Sequence, residues 1–438
     1  MDISSYRELT GSSLRAATQA QVGVKIGNYK DPTDVLIKDT QTFIDALAAE
    51  DETLINQYVE KLNLAPCRYP GLDNVGIYIA KNKSDFPVMI FWRFGPTVNL
   101  VLEDPHEGRD GAQRVACDLF INTNAKCMIR NAVHPASAEG THADGQKRRR
   151  TSDAAHSYSC LFNKIHEKLF NMYGVDSVYL QAHGMSGGRL MYLTNQKSSQ
   201  FTDRVRSFPM TLAKSFADVF TMEQCNDITL GSHVVPGQKD GTPYTIREFK
   251  QGAAWFPTHS PCPNTCIQAR IVNGGGPTNT GKTDRGVFLH LECGPKTRDG
   301  NALGQMLRDK LCKAVNMAMV DWNNSPLPKP RLPFIPSNIT ASTATPSTTR
   351  LAAIELTEVE LNKYEANLRK EYPQDYVAYD GAENDAFDDP DDGHENADLD
   401  EDATITRALT LSKPGNVKHN EQDDKCYKKS NNKNKLKM

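Results

Sequence analysis

The pattern of apolar and polar positions changes character twice along the chain. In residues 1–60 it is mostly helical: over DPTDVLIKDTQTFIDALAAEDETLINQYVEKL apolar residues recur at helical spacing, with acidic residues placed for first turns. Short apolar runs then take over, and NVGIYIA, FPVMIFW and TVNLVLE predict three strands. Beyond them the two periodicities alternate. GAQRVACDLFIN predicts a helix, with Val115 and Leu119 one turn apart; AKCMIRNAV a buried strand; SDAAHSYSCLFNKIHEKLFNMY a helix with Ser152 as its N-cap; and DSVYLQAH another strand. RIVNGG and GVFLHLEC predict further strands, and GNALGQMLRDKLCKAVNMAMVDW a long closing helix. Alternation of this kind predicts an α/β three-layer sandwich with a mainly parallel central sheet.

The second change comes near Asn324. SPLPKPRLPFIPSNITASTATPSTT is rich in Pro, Ser and Thr and predicts a linker over residues 325–350. A charged helix is expected at about 351–372, and residues 379–402, dominated by Asp, Glu, Asn and Gly, lack the apolar surface to fold. The expected organisation is an N-terminal helical segment (1–60), a hydrolase-like core (61–324), the linker, and a charged helix with a disordered C-terminal tail (351–438).

Composition narrows the function classes. The 438 residues carry a formal net charge of −3, which gives no electrostatic reason to expect nucleic acid. Lys147-Arg148-Arg149-Arg150 reads as a solvated loop. The ten cysteines are scattered without a disulfide framework, which favours a reducing compartment. The first residues have no apolar signal region, and no apolar run is long enough to span a membrane. The expectation is a soluble, cytoplasmic protein with no membrane and no nucleic-acid partner.

Three segments put metal-competent side chains where predicted strands meet helices, the place where open α/β sheets bind ligands. In TVNLVLEDPHEGRDG a strand ends at Glu103, with His106, Glu107 and Asp110 in the turn after it. In RRRTSDAAH, Arg150 precedes Asp153 and His156 in a first helical turn. In VYLQAHGMS, His183 ends a strand. Imidazole and carboxylate suit zinc, which in catalytic sites takes three protein ligands and leaves one position for water. His106, Asp110 and His183 supply such a set. The ordinary alternative for each is a hydrogen-bonded structural residue, and HEGRD lacks the spacing of a zincin motif.

The series E-x-P-H-x-x-x-D-G, R-x-S-D-A-A-H, Q-x-H-G and H-L-E with a following Arg resembles the zinc-dependent N-formylglutamate amidohydrolase and poly-γ-glutamate hydrolase group, which is similar to metallocarboxypeptidases. The matching residues are Glu103, His106 and Asp110; Arg150, Ser152, Asp153 and His156; Gln181, His183 and Gly184; and Glu292 with Arg298. They span about residues 95–320. The resemblance implies amide hydrolysis by a zinc-bound water, with His106, Asp110 and His183 as ligands and Glu292 as general base. It implies that Arg150 or Arg298 binds a carboxylate of a small acyl-amino-acid or peptide-like substrate. The metallocarboxypeptidase spacing H-x-x-E is absent, which keeps Glu107 and His156 open as alternative ligands. Glu292 has its own plainer reading, a strand-end carboxylate paired with Lys296 or Arg298.

Three further motifs compete. Gly184-Met185-Ser186-Gly187-Gly188 matches the nucleophile elbow of serine hydrolases, but RLMYLTNQ after it predicts a strand where a helix is required. Gly276 to Thr283 matches a P-loop, again followed by a strand instead of the helix whose amides would cradle phosphate. Cys262 and Cys266, near His259, lack the second pair that a structural zinc wants. In the tail, DEDATITRALTLS resembles a ubiquitin-interacting motif. The resemblance implies that Ile405, Ala408, Leu409 and Ser412 form a helix face against ubiquitin. The expected function is a zinc-dependent amide hydrolase. The alternatives are an inactive ubiquitin-binding adaptor of the same fold and a serine hydrolase using Ser186.

Overall fold

The computed structural model describes residues 3–19, 29–82, 85–106, 111–135, 137–138, 151–185, 188–194, 207–233, 242–251, 257–259, 266–273 and 286–326. The expected linker and tail, with Ile405, Ala408, Leu409 and Ser412, lie outside them, as do Glu107, Asp110, Arg150, Ser186, Cys262 and the Gly276–Thr283 run.

The strands are β1 (Arg7–Glu8), β2 (Leu64–Arg68), β3 (Val75–Ala80), β4 (Val88–Arg93), β5 (Val98–Asp104), β6 (Ala125–Asn131), β7 (Val178–Gly184), β8 (Met191–Thr194), β9 (Ile228–His233), β10 (Thr242–Thr245), β11 (Pro257–His259) and β12 (Phe288–Cys293). The helices are α1 (Leu14–Gln19), α2 (Asp34–Ala49), α3 (Glu52–Lys61), α4 (Gln113–Asn122), α5 (Leu161–Tyr173), α6 (Phe208–Val219), α7 (Met222–Asn226), α8 (Ile246–Lys250), α9 (Ile267–Val272), α10 (Pro295–Arg298) and α11 (Ala302–Asn324). The two long N-terminal helices start where the pattern places them. Thr33 caps α2 and Asp51 caps α3, each accepting a bond from an amide of the first turn.

All the described strands belong to one sheet, ordered β1-β2-β3-β4-β6-β5-β7-β12-β8-β9-β10, with β11 beside β9. The centre, β6-β5-β7-β12, is parallel, and antiparallel pairs flank it. The central strands are buried on both faces, as parallel strands covered by helices must be. Helices α2, α3, α5 and α9 pack among themselves in one layer, and α1, α4, α6, α7, α8, α10 and α11 in the other. The α/β sandwich with a parallel centre is therefore as the sequence predicts.

Two local expectations are corrected. The helix predicted from Ser152 begins only at Leu161. Ser152 does not cap it: its hydroxyl donates to Pro135 O at 2.6 Å and accepts from the Ala138 amide at 3.0 Å. Asn163 on α5 donates to the carbonyls of Ala154 and Ser157, which holds the intervening residues in turns against the helix. Asp153 and His156 thus lie in turns, not in a helical first turn. The second correction is RIVNGG, whose apolar part belongs to helix α9. A short run that is buried all round does not distinguish a strand from a helix.

Candidate metal centre

The chain leaves β5 through α4 to β6 on one side, while the next parallel strand, β7, lies on the other. That reversal is a topological switch point, where a crevice opens beyond the carboxyl ends of the strands. His106 lies two residues past the end of β5, and His183 is the penultimate residue of β7. His106 is fixed through its backbone: Gln113 Nε2 donates to its carbonyl at 3.0 Å, and Asn131 Nδ2 to that of Pro105 at 2.9 Å.

Register puts polar residues in two rungs on one face of the central strands. Glu103 pairs with Gln181, and Gln181 with His290; two residues on, His183 pairs with Glu292. Partners across a parallel pair point the same way, and so do positions i and i+2 of one strand. The lower rung is a buried chain of hydrogen bonds. Glu103 takes His166 Nδ1 of α5 on one carboxylate oxygen and Gln181 Nε2 at 3.3 Å on the other. This orients the Gln181 amide, so that Oε1 accepts from His183 Nε2 at 2.8 Å and His290 Nδ1 at 3.1 Å, with Cys266 Sγ at 3.2 Å. The amide therefore sets the tautomers of both imidazoles, leaving the lone pairs on His183 Nδ1 and His290 Nε2.

The upper rung carries the cluster. The rings of His183 and His290 stack with centroids 4.2 Å apart, and His106 meets His183 edge-on at 4.7 Å. His106 Nε2 lies 3.2 Å from Asp153 Oδ1, and His290 Nε2 lies 2.8 Å from Glu292 Oε1. Ligand-competent atoms of His183, His290 and Glu292 all fall within 4.8 Å of one another. Burial pushes the His183 proton affinity well below its ordinary value, and the neighbouring imidazoles of His290, His106 and His156 push it further. His183 is thus held neutral, the form that ligates metal.

The structure brings together His106, Asp153, His156, His183 and Glu292 from the residues singled out in the sequence. Arg298 stands beside them, its Nη2 donating to Met185 O at 3.0 Å, two residues beyond His183. Glu107, Asp110 and Arg150 lie outside the described residues. Four residues of the network had no role assigned from sequence: Glu103, His166, Gln181 and His290. For Gln181 and His290 a signal was present in VYLQAHG and VFLHLEC, where polar side chains recur every second residue within otherwise apolar strands. In a strand buried on both faces that spacing marks one polar stripe.

No family model matches the chain, and no curated protein matches it in sequence. Among solved structures, it is similar to a metallo-carboxypeptidase from Pseudomonas aeruginosa, with TM-score 0.31, 12% identity, and coverage of 62% of this chain and 69% of that one. It is similar to a metallo-carboxypeptidase from Burkholderia cenocepacia, with TM-score 0.31, 9% identity and coverage of 68% and 71%. It is also similar to an N-formylglutamate amidohydrolase from Ralstonia eutropha, with TM-score 0.27, 13% identity and coverage of 54% and 98%. Overlaps this partial leave the function to be argued from the side chains at the switch point.

Proposed function

We propose that the chain is a metal-dependent hydrolase that opens an amide bond in an amino-acid or peptide-like substrate, with zinc as the ion its donors suit. One observation carries the reading: three imidazoles and a carboxylate converge at the ends of β5, β7 and β12, in the crevice of a topological switch point. The donor set fits a divalent ion of the zinc type, which prefers imidazole nitrogen and carboxylate oxygen. Asp153 engages one ring nitrogen of His106, and Gln181 one each of His183 and His290. Partners of this kind orient ligand histidines and raise their basicity.

In this reading His106 and His183 would hold the ion, with Asp110 as the carboxylate expected from the sequence. Bound there, a zinc-type ion would supply Lewis acidity that makes water a nucleophile near neutral pH. Glu292 would accept the proton of the attacking water. As the water oxygen adds to the amide carbon and the C–N bond breaks, Glu292 returns that proton to the leaving nitrogen. Arg298, and Arg150 on the sequence argument, supply planar forks for a substrate carboxylate.

The closeness of His183, His290 and Glu292 favours a second arrangement, in which these three are the ligands. Elemental analysis of the purified chain and its single variants tests both. About one ion per folded chain is expected, lost in His183→Ala in either arrangement. Loss in His106→Ala with retention in His290→Ala supports the first arrangement, and the reverse supports the second. A folded wild-type chain that takes up no divalent ion would sink the reading. Chelation should also abolish cleavage of acylated amino acids and γ-glutamyl amides.

A further inference from the structure

Three arginines distant in sequence line one cleft. Arg15 of α1, Arg114 of α4 and Arg298 of α10 meet there with Gly111, Pro295 and Asp299. The framework is built around their guanidinium groups. A Cβ at Gly111 would stand 2.9 Å from Arg298 Nη1, and one at Gly300 would stand 2.5 Å from Arg114 Nη1, so each glycine leaves the space that a guanidinium occupies. Arg114 Nη1 donates to the carbonyl of Arg298 at 3.2 Å, tying two of the arginines together. Among the described lining residues the carboxylate is that of Asp299, which accepts from Asn301 Nδ2 at 2.8 Å. Arg15 Nε is buried without a hydrogen-bond partner among the described residues. A buried donor left unmade is costly, so a ligand that satisfies it is favoured.

We propose that this cleft binds a compact oxyanion, a phosphoryl or carboxylate group. The guanidinium fork matches either group with two parallel charge-assisted bonds. The cleft borders both histidine segments. Gly111 follows the His106 turn, and Arg298 bonds Met185 just past His183. Taken with the hydrolase reading, on which this last step rests, the cleft seats the anionic end of the substrate.

Isothermal titration of the full chain as purified, with inorganic phosphate and separately with glutarate, tests the cleft. Saturable one-to-one binding is expected for at least one of them. Binding of phosphate alone assigns a phosphoryl ligand, and binding of glutarate alone a carboxylate. Each of Arg15→Gln and Arg114→Gln should weaken that binding about tenfold, the worth of one charge-assisted bond. Arg15→Gln is decisive should Arg114→Gln fail to fold, because Arg15 Nε has no hydrogen-bond partner among the described residues. No saturable binding of either anion, or binding undiminished in Arg15→Gln, overturns the proposal; anion bound at a metal ion would give the second result. Metal content is read separately, so failure here leaves the hydrolase reading standing, and absence of metal leaves the oxyanion cleft standing.

Discussion

Gln181 occupies an unusual position for a neutral side chain. It is fully buried, its Nε2 is committed to Glu103, and its Oε1 gathers His183, His290 and Cys266. An amide has a donor end and an acceptor end, so the buried Glu103 carboxylate decides which end meets the imidazoles. Gln181→Leu keeps the volume and removes that control. It also leaves one Glu103 oxygen without its amide donor. The expected result is a metal affinity lower by about 10–100-fold, the usual effect of losing a partner that orients a ligand. Competition with a chromophoric chelator measures it. Unchanged affinity in folded Gln181→Leu would show that the imidazoles need no such orientation.

The site depends on elements held in register, and the opposite face of the sheet shows what holds them. Arg130 of β6 and Asp104 of β5 form a fully buried pair, and Arg130 Nη1 also donates to Thr18 of α1. One side chain ties helix α11 to two other helices. Arg308 Nε meets Asp118 Oδ2 of α4 at 2.6 Å, and its Nη1 reaches the carbonyls of Thr297, at 2.9 Å, and Asp299. One guanidinium thereby joins α4, α10 and α11. Arg308→Ala leaves a half-buried carboxylate and two carbonyls unmet, and should destabilise the chain by about 3–5 kcal/mol. Chemical denaturation measures this, and a loss under 1 kcal/mol, the range of exposed pairs, would mean that the contact is ornamental. Gly294 is a second constraint. A Cβ there would come within 1.8 Å of the Arg189 carbonyl, so the close approach of the turn after β12 to the segment before β8 requires glycine.

For the molecule as a whole, the buried His183 makes stability depend on pH. His183 has its proton affinity depressed in the fold, first by burial and then by His290, His106 and His156. The unfolded chain titrates this imidazole near the ordinary value of about 6.5. Above that pH neither state carries the proton, and the stability is fully present. Below it the unfolded chain takes up a proton that the folded chain refuses. Stability of the metal-stripped chain should therefore fall as pH drops, by up to about 1.4 kcal/mol per pH unit for this one group. Melting curves between about pH 7.5 and 5 read the slope across that imidazole's range. His183→Leu should flatten it, and an unaltered slope would place the pH sensitivity elsewhere.

The order of strands and helices followed from periodicity, because a strand buried on two faces and an amphipathic helix leave different marks on a chain. The N-terminal helices and the strand runs through GVFLHLEC were legible in that way. So were His106, His183 and Glu292, since strand ends are where side chains can face a crevice; Asp153 and His156 were singled out at an expected helix start and lie in turns. His290 was not singled out, although it stands two residues before Glu292. Inside a predicted strand it reads as one more buried position until register sets it beside Gln181. Arg15, Arg114 and Arg298 could not be grouped at all, because nothing local in a sequence joins residues that only the meeting of α1, α4 and α10 brings together. Ser152 and RIVNGG misled for a related reason. Capping and the choice between helix and strand are small local preferences, and long-range partners such as Pro135, Ala138 and the buried face of α9 outweigh them. Periodic burial is written along the chain and survives as sequence. Pairing between distant side chains exists only once the chain has closed on itself.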